Sequence, residues 1–232
     1  MNLTRSLAQQ LENKKLTLIV SLPENRTDLA KAAMRAGADA MKMHVNVSHR
    51  ASGNDFADVQ TYLEAFQAIR DDFSGPLGVV PGGSFEDIKR SEIKKLIDLG
   101  FNFYSIYAHH KPSWLLGLKG IEKTFAISSE YQIERFGKVR HLGVSALEAS
   151  IVPGEEYGTP LTFKDVLAYN QLAQNVDVPV LVPSQRKLVP DDISVLYQAG
   201  VKAIMLGAIV TGKSENSLDQ AVSAFRKAID SL

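Results

Sequence analysis

The chain has 232 residues, 45% hydrophobic and 22% charged, with 26 basic and 26 acidic side chains. Zero formal charge removes any general pull toward nucleic acid or anionic membranes. The absence of cysteine excludes disulfides, thiolate metal sites and thiol nucleophiles.

The N-terminal MNLTRSLAQQLENKK has no apolar signal core, and no apolar run approaches the ~18 residues that span a bilayer. A cytoplasmic protein is expected, and residues 2–14 are expected to form a helix. A strand–helix rhythm follows. LTLIVSLPE (16–24) precedes a helical RTDLAKAAMRAGA, and DAMKMHVNV (39–47) precedes DFADVQTYLEAFQAIRDDF. PLGVVPGG (76–83) precedes SFEDIKRSEIKKLIDLG, with Ser84 and Asp87 as its expected cap. FNFYSIYAHH (101–110) leads into a short PSWLLGLKG, and TFAISSE (124–130) into YQIERFGKV. HLGVSALEASIV (141–152) precedes TFKDVLAYNQLAQNV, and VPVLVPSQ (178–185) precedes VPDDISVLYQAG. VKAIMLGAIVTG (201–212) precedes the last helix, capped at Ser214. Gly37, Gly100 and Gly200 each fall between a helix and the next strand, where a left-handed residue is wanted.

Eight such units over 1–232, with no linker between them, predict an α/β fold: a (β/α)8 TIM barrel in one domain, with an extra N-terminal helix. An open doubly wound sheet is the alternative. In a barrel, chemistry gathers at the C-terminal strand ends. The second strand alternates cleanly, with Met41, Met43, Val45 and Val47 on one side and Lys42, His44, Asn46 and Ser48 on the other. A lysine facing the lumen needs a carboxylate or an anionic ligand. Glu130 and Glu148, at the ends of the fifth and sixth strands, are the candidates. Lys42 is expected either to form a Schiff base or to stabilise an enolate while Glu148 or Glu130 moves the proton. Barrel aldolases more often carry such a lysine on strand four or six. By that comparison this chain, with none at either strand end, is expected to transfer a proton.

His44, His49, His109 and His110 fall at or beyond strand ends, and histidine with glutamate leaves a divalent metal open, though no cofactor is expected. The loop SHRASGNDF (48–56) offers Arg50 to an anion. The loop EASIVPGEEYGTPLT (148–162) has the composition of a lid hinged at Gly154 and Gly158.

The last two units resemble the phosphate-binding (β/α)8 superfamily through Pro190, Asp191, Asp192 and Ile193, then Gly200, then Leu206, Gly207, Ala208 and Ile209. The resemblance implies an anion held by main-chain amides at Gly207 and Ala208. Where relatives place glycines after strand seven, this chain has Ser184, Gln185 and Arg186, so side chains, chiefly Arg186, would complete the cradle. ADAMKMHVNVSH is loosely similar to the second strand of sugar-phosphate 3-epimerases, with His44 near a metal-ligand position and Asn46 where a carboxylate is expected. IVS, ending in Ser21, is similar to strand one of N-acetylmannosamine-phosphate 2-epimerases, whose strand-three lysine is replaced here by GVVPGG. These resemblances imply an isomerase or epimerase on a small phosphorylated carbohydrate-like substrate, without the full catalytic motifs of either family. An aldolase-type lyase through Lys42 and a non-catalytic phosphometabolite-binding barrel are the alternatives. No pattern points to nucleic acid or membrane, and none marks the interface of a homo-oligomer.

Overall fold

The computed structural model describes residues 6–132 and 137–232. The expected helix within 131–139 therefore lies partly outside the described residues. Eight parallel strands close into a ring: β1 (Thr17–Ser21), β2 (Ala40–His44), β5 (Leu77–Val80), β6 (Phe103–Tyr104), β7 (Glu122–Ile127), β8 (Val144–Ala149), β9 (Val180–Pro183) and β10 (Ala203–Leu206). A two-stranded antiparallel hairpin, β3 (Val47–His49) and β4 (Asn54–Phe56), rises from the end of β2. The barrel expectation holds. The strands are shorter than their apolar runs suggested, because several polar strand-end residues turn away as the chain leaves the ring.

Every residue of β1 and β2 is buried. That is the signature of a parallel strand covered by helices outside and by the lumen inside. Ile19, Ala40, Phe103, Ala146, Leu181, Ala203 and Met205 form a separate apolar cluster. They alternate with residues of the main core, so they are the inward set. Leu7 and Leu11 of α1 (Leu7–Asn13) join this cluster. The N-terminal helix thus plugs the bottom of the ring, and Glu122 accepts a hydrogen bond from its Ala8 amide at 2.8 Å. Gly78 is required here, because a Cβ would collide with the Phe103 ring that fills the lumen beside it.

Outside the ring lie α2 (Thr27–Arg35), α3 (Leu63–Asp72), α4 (Arg90–Asp98), α5 (Phe163–Asn175), α6 (Asp192–Gln198), the one-turn α7 (Ala208–Thr211) and α8 (Glu215–Asp230). Gly37, Gly100 and Gly200 have φ of 94°, 83° and 87°, as their positions required. Ser214 caps α8 through a reciprocal bond with Ser217. The Ser84 cap is corrected: Asp87 does accept from the Ser84 amide at 2.9 Å, but α4 begins only at Arg90. After β6 the outer layer holds a short 3-10 turn, Ser113–Gly117, where a helix was expected.

Candidate functional site

With the bottom plugged, the lumen opens at the C-terminal ends of the strands. A cavity of about 410 Å³ occupies this mouth, walled by strand ends, the hairpin and the loops after β8 and β9. Its floor is set by strand parity. Ala40 belongs to the inward cluster, so Lys42 and His44 also face in. The same counting on β8 carries Ala146 to Glu148 and Ser150.

Strands β2 and β8 stand opposite each other, with three strands between them either way round the ring. Lys42 and Glu148 therefore reach toward each other across the barrel axis. The Lys42 Nζ lies 3.0 Å from both carboxylate oxygens, and the two residues are 4% and 6% exposed. Ser105 donates to Glu148 Oε2 at 2.6 Å, and Ser150 donates to Oε1 at 3.4 Å. Burial pushes the Glu148 carboxyl up, but the Lys42 ammonium and the two hydroxyls outweigh it and hold the group below its ordinary range. The floor of the site is thus an ionised carboxylate clasped by an ammonium.

His44 is fully buried between His49, at 4.2 Å between ring centroids, and Phe56, at 4.9 Å. Its Nε2 lies 3.5 Å from the Ser21 hydroxyl. Its Nδ1 has no hydrogen-bond partner among the described residues. Burial, then His49, then Lys42 depress its pKa well below the ordinary value. Burial and the Lys42 charge likewise push His49 down to about 4. Both imidazoles are neutral at physiological pH, so this wall offers ring nitrogens and no charge.

Ser184 and Gly207, beyond the ends of β9 and β10, also line the cavity and adjoin Ser21. The Gly207 amide donates to Ser184 Oγ at 2.8 Å. The amide expected to face an anion is therefore spent on a hydroxyl, and Ser184 stands in its place. Arg50 lines the rim and forms no ion pair among the described residues. Its guanidinium abuts Gly154, where a Cβ would collide with it.

Five expected site residues fall elsewhere. Arg186 is buried away from the cavity, where it donates to Asp165 Oδ1 at 2.9 Å and pairs with Glu156 and Thr159. Two carboxylates already neutralise it, so it is a structural tie. Glu130 lies on an exposed turn beyond the end of β7, where the neighbouring Ser128 and Ser129 line the cavity. Asn46 leaves the lumen because β2 ends at His44 and its own backbone turns to φ 52°. Its side chain donates to Glu92 of α4. His109 is exposed on a 3-10 turn, and its neighbour His110 lines the cavity. Ala208 begins α7 and does not reach the wall. The loop after β8 is tied to the segment after β9, with Gly158 N donating to Gln185 O and Lys187 N to Thr159 O, each at 2.8 Å. Gln185 also receives the Val152 amide at 3.1 Å and donates to the Tyr157 hydroxyl.

Ser105, Ser150 and Tyr107 were not anticipated. Ser150 was findable, since it repeats the parity of Glu148 two residues on. Ser105 and Tyr107 repeat the parity of inward-facing Phe103, so the same counting along 101–110 would have found them. Among the described residues no group of three or more His, Asp or Glu side chains converges as a metal site, and no helix is long and apolar enough to cross a membrane.

No protein-family model matches the chain, and neither does any curated protein sequence. Solved structures match along nearly its whole length. Tryptophan synthase from M. tuberculosis superposes with a TM-score of 0.71 at 14% identity, covering 97% of this chain and 99% of that one. The tryptophan synthase α-subunit of Pyrococcus furiosus gives 0.67 at 12% identity, covering 92% and 98%. Thiamine phosphate pyrophosphorylase from the same organism gives 0.64 at 13%, covering 94% and 97%. The likeness is one of fold. It identifies the TIM barrel and leaves the chemistry to the side chains of this chain.

Proposed function

We propose that the chain is an isomerase or epimerase that moves a proton on a small phosphorylated, carbohydrate-like substrate bound in the mouth of the barrel. The observation that carries this is the buried Lys42–Glu148 pair on the barrel axis. Burying two charges costs several kcal/mol per ion. The inward layer just below solves the same packing problem with apolar side chains, so a structural role alone does not explain the pair. Glu148, held ionised, takes the proton from a carbon beside a carbonyl. The electron pair moves onto the carbonyl oxygen, and Lys42 stabilises that oxygen as charge develops in a site shielded from water.

The surroundings suit a hydroxylated anion. Short hydroxyls from Ser21, Ser105, Ser128, Ser150 and Ser184 line the cavity, while neutral His44 supplies a ring nitrogen. The anionic end is assigned to the hydroxyls of Ser184 and Ser21 on one side, with Arg50 at the rim. A Schiff-base lyase fits less well, because the Lys42 nitrogen is already engaged by both Glu148 oxygens at 3.0 Å.

The test is proton exchange. Ketose, aldose and acylamino-sugar phosphates are incubated with the protein in D2O and followed by NMR for exchange at carbon and for new isomers. The wild type exchanges at least one of them. Glu148→Gln lowers the rate by about 10²–10⁴-fold, the usual worth of a positioned base. Lys42→Met also abolishes turnover, with folding checked by circular dichroism. Tight binding without exchange across the panel replaces this function with that of a non-catalytic binder. A borohydride-trapped adduct on Lys42 replaces it with a lyase.

A further inference from the structure

We infer that the outer face of α5 and α6 is a self-association surface whose occupant is a second copy of this chain. Among the described residues, five of the seven exposed large hydrophobic side chains lie between positions 163 and 197: Phe163, Leu167, Val189, Val195 and Tyr197. Phe163 is 74% exposed and Leu167 53%. Scattered exposed hydrophobics are ordinary, but a concentration of them marks an interaction site.

Helical spacing places Phe163, Leu167 and Val195 along the line where α5 and α6 meet, and Val189 adjoins it just before α6. Asn170 of α5 donates to the Ala199 carbonyl just past α6, at 3.3 Å, which places the line where the two helices meet. Phe163, Leu167 and Asn170 follow at i, i+4 and i+7, a single stripe along α5. Val195 stands four residues before Ala199 and so lies on the matching stripe of α6. Val189 stands just before the start of α6. The line thus runs from Val189 and Phe163 at its upper end, past Leu167 and Val195, to the Asn170–Ala199 contact.

Two features select a copy of the same chain. One face carries both the projecting Phe163 and the exposed apolar Val189 and Val195, and a two-fold operation lets each copy cover the other's apolar side chains at once. The charges fit the same operation. Exposed Lys164 lies at the N-terminus of α5 and exposed Asp191 at the N-terminus of α6. A two-fold axis parallel to the helices lays α5 of each copy over α6 of the other. Phe163 then enters between Val189 and Val195 of the partner, and Lys164 meets Asp191. With no net charge on the chain, nothing repels the copies over longer range. The cavity lies inside the ring and is left uncovered, so this surface stands independently of the proposed reaction.

Sedimentation equilibrium of the full chain, from micromolar to hundreds of micromolar, is expected to show a dimer. Phe163 is an exposed side chain, so Phe163→Asp leaves the fold intact by circular dichroism. It weakens association by about a hundredfold or more, the size of losing an interface anchor. Lys164→Asp weakens it more modestly, and Asp191→Lys in the same chain restores it. A wild type that stays monomeric throughout overturns the inference, as does a dimer that survives Phe163→Asp. Failure of the Asp191→Lys rescue overturns the parallel two-fold.

Discussion

Glu148 is ionised although it is almost wholly buried, because Lys42 spans both of its oxygens and two hydroxyls complete the shell. His49 meets the opposite fate. Among the described residues no carboxylate hydrogen-bonds or ion-pairs with it, and burial beside the Lys42 ammonium keeps it neutral. Its folded pKa of about 4 lies below the ordinary value of 6.5. Between those two values the unfolded chain binds more protons than the folded one, so stability rises with pH across that window. The His49 contribution is complete above pH 6.5 and is lost as pH falls toward 4. Depressed Glu148 acts in the same direction at lower pH, contributing above its unfolded pKa and losing that contribution on acidification. Urea unfolding at pH 7 and at pH 5 measures the effect. His49→Gln should reduce the stability lost between them by about 2 kcal/mol. An unchanged pH slope would show that His49 is not held neutral in the fold.

At the scale of elements, Arg186 shows how a residue type misleads when its neighbours are unknown. An arginine after strand seven is where an anion-binding side chain is wanted. The segment 155–165, folding back from β8, brings Glu156, Thr159 and Asp165 to it first. The cation is consumed in binding two loops together. Arg186→Gln leaves Asp165 short of its partner in a nearly buried position and should cost about 3 kcal/mol. It should also free the segment around Glu155–Tyr157, read as faster cleavage there by a low dose of protease. Unchanged cleavage would mean that the backbone bonds to Gln185 and Lys187 suffice to hold the loop. The hairpin carries the opposite lesson. Alternation across 39–47 gave the right facing for Lys42 and His44, yet it overran the strand. Asn46 adopts a left-handed turn and leaves the lumen, a break that alternation cannot signal in an asparagine, which tolerates that conformation.

For the molecule as a whole, closure of the ring divides the lumen into an apolar lower layer and a polar upper one. The N-terminal helix belongs to the lower layer, and its own sequence does not reveal this. Leu11 is entirely buried against that layer. Leu11→Ala should destabilise the protein by about 2–5 kcal/mol, measured as a shift in the urea midpoint. A loss under 1 kcal/mol would mean that the helix rests on the barrel without closing it.

The repeating strand–helix rhythm, the glycines between helix and strand, and the alternation on β2 are local patterns, written in neighbouring residues and legible there. They determined the barrel and the inward facing of Lys42. The partner of that lysine is not local, because Glu148 is 106 residues away. It was one of two glutamates with equal standing until the ring placed β8 opposite β2. The same closure committed Arg186 and the Gly207 amide to the protein itself and assembled Ser105 and Ser150 around the carboxylate. Periodicity reports which way a side chain points, whereas the identity of what it meets depends on how distant strands are ordered around an axis, and only the tertiary structure supplies that order.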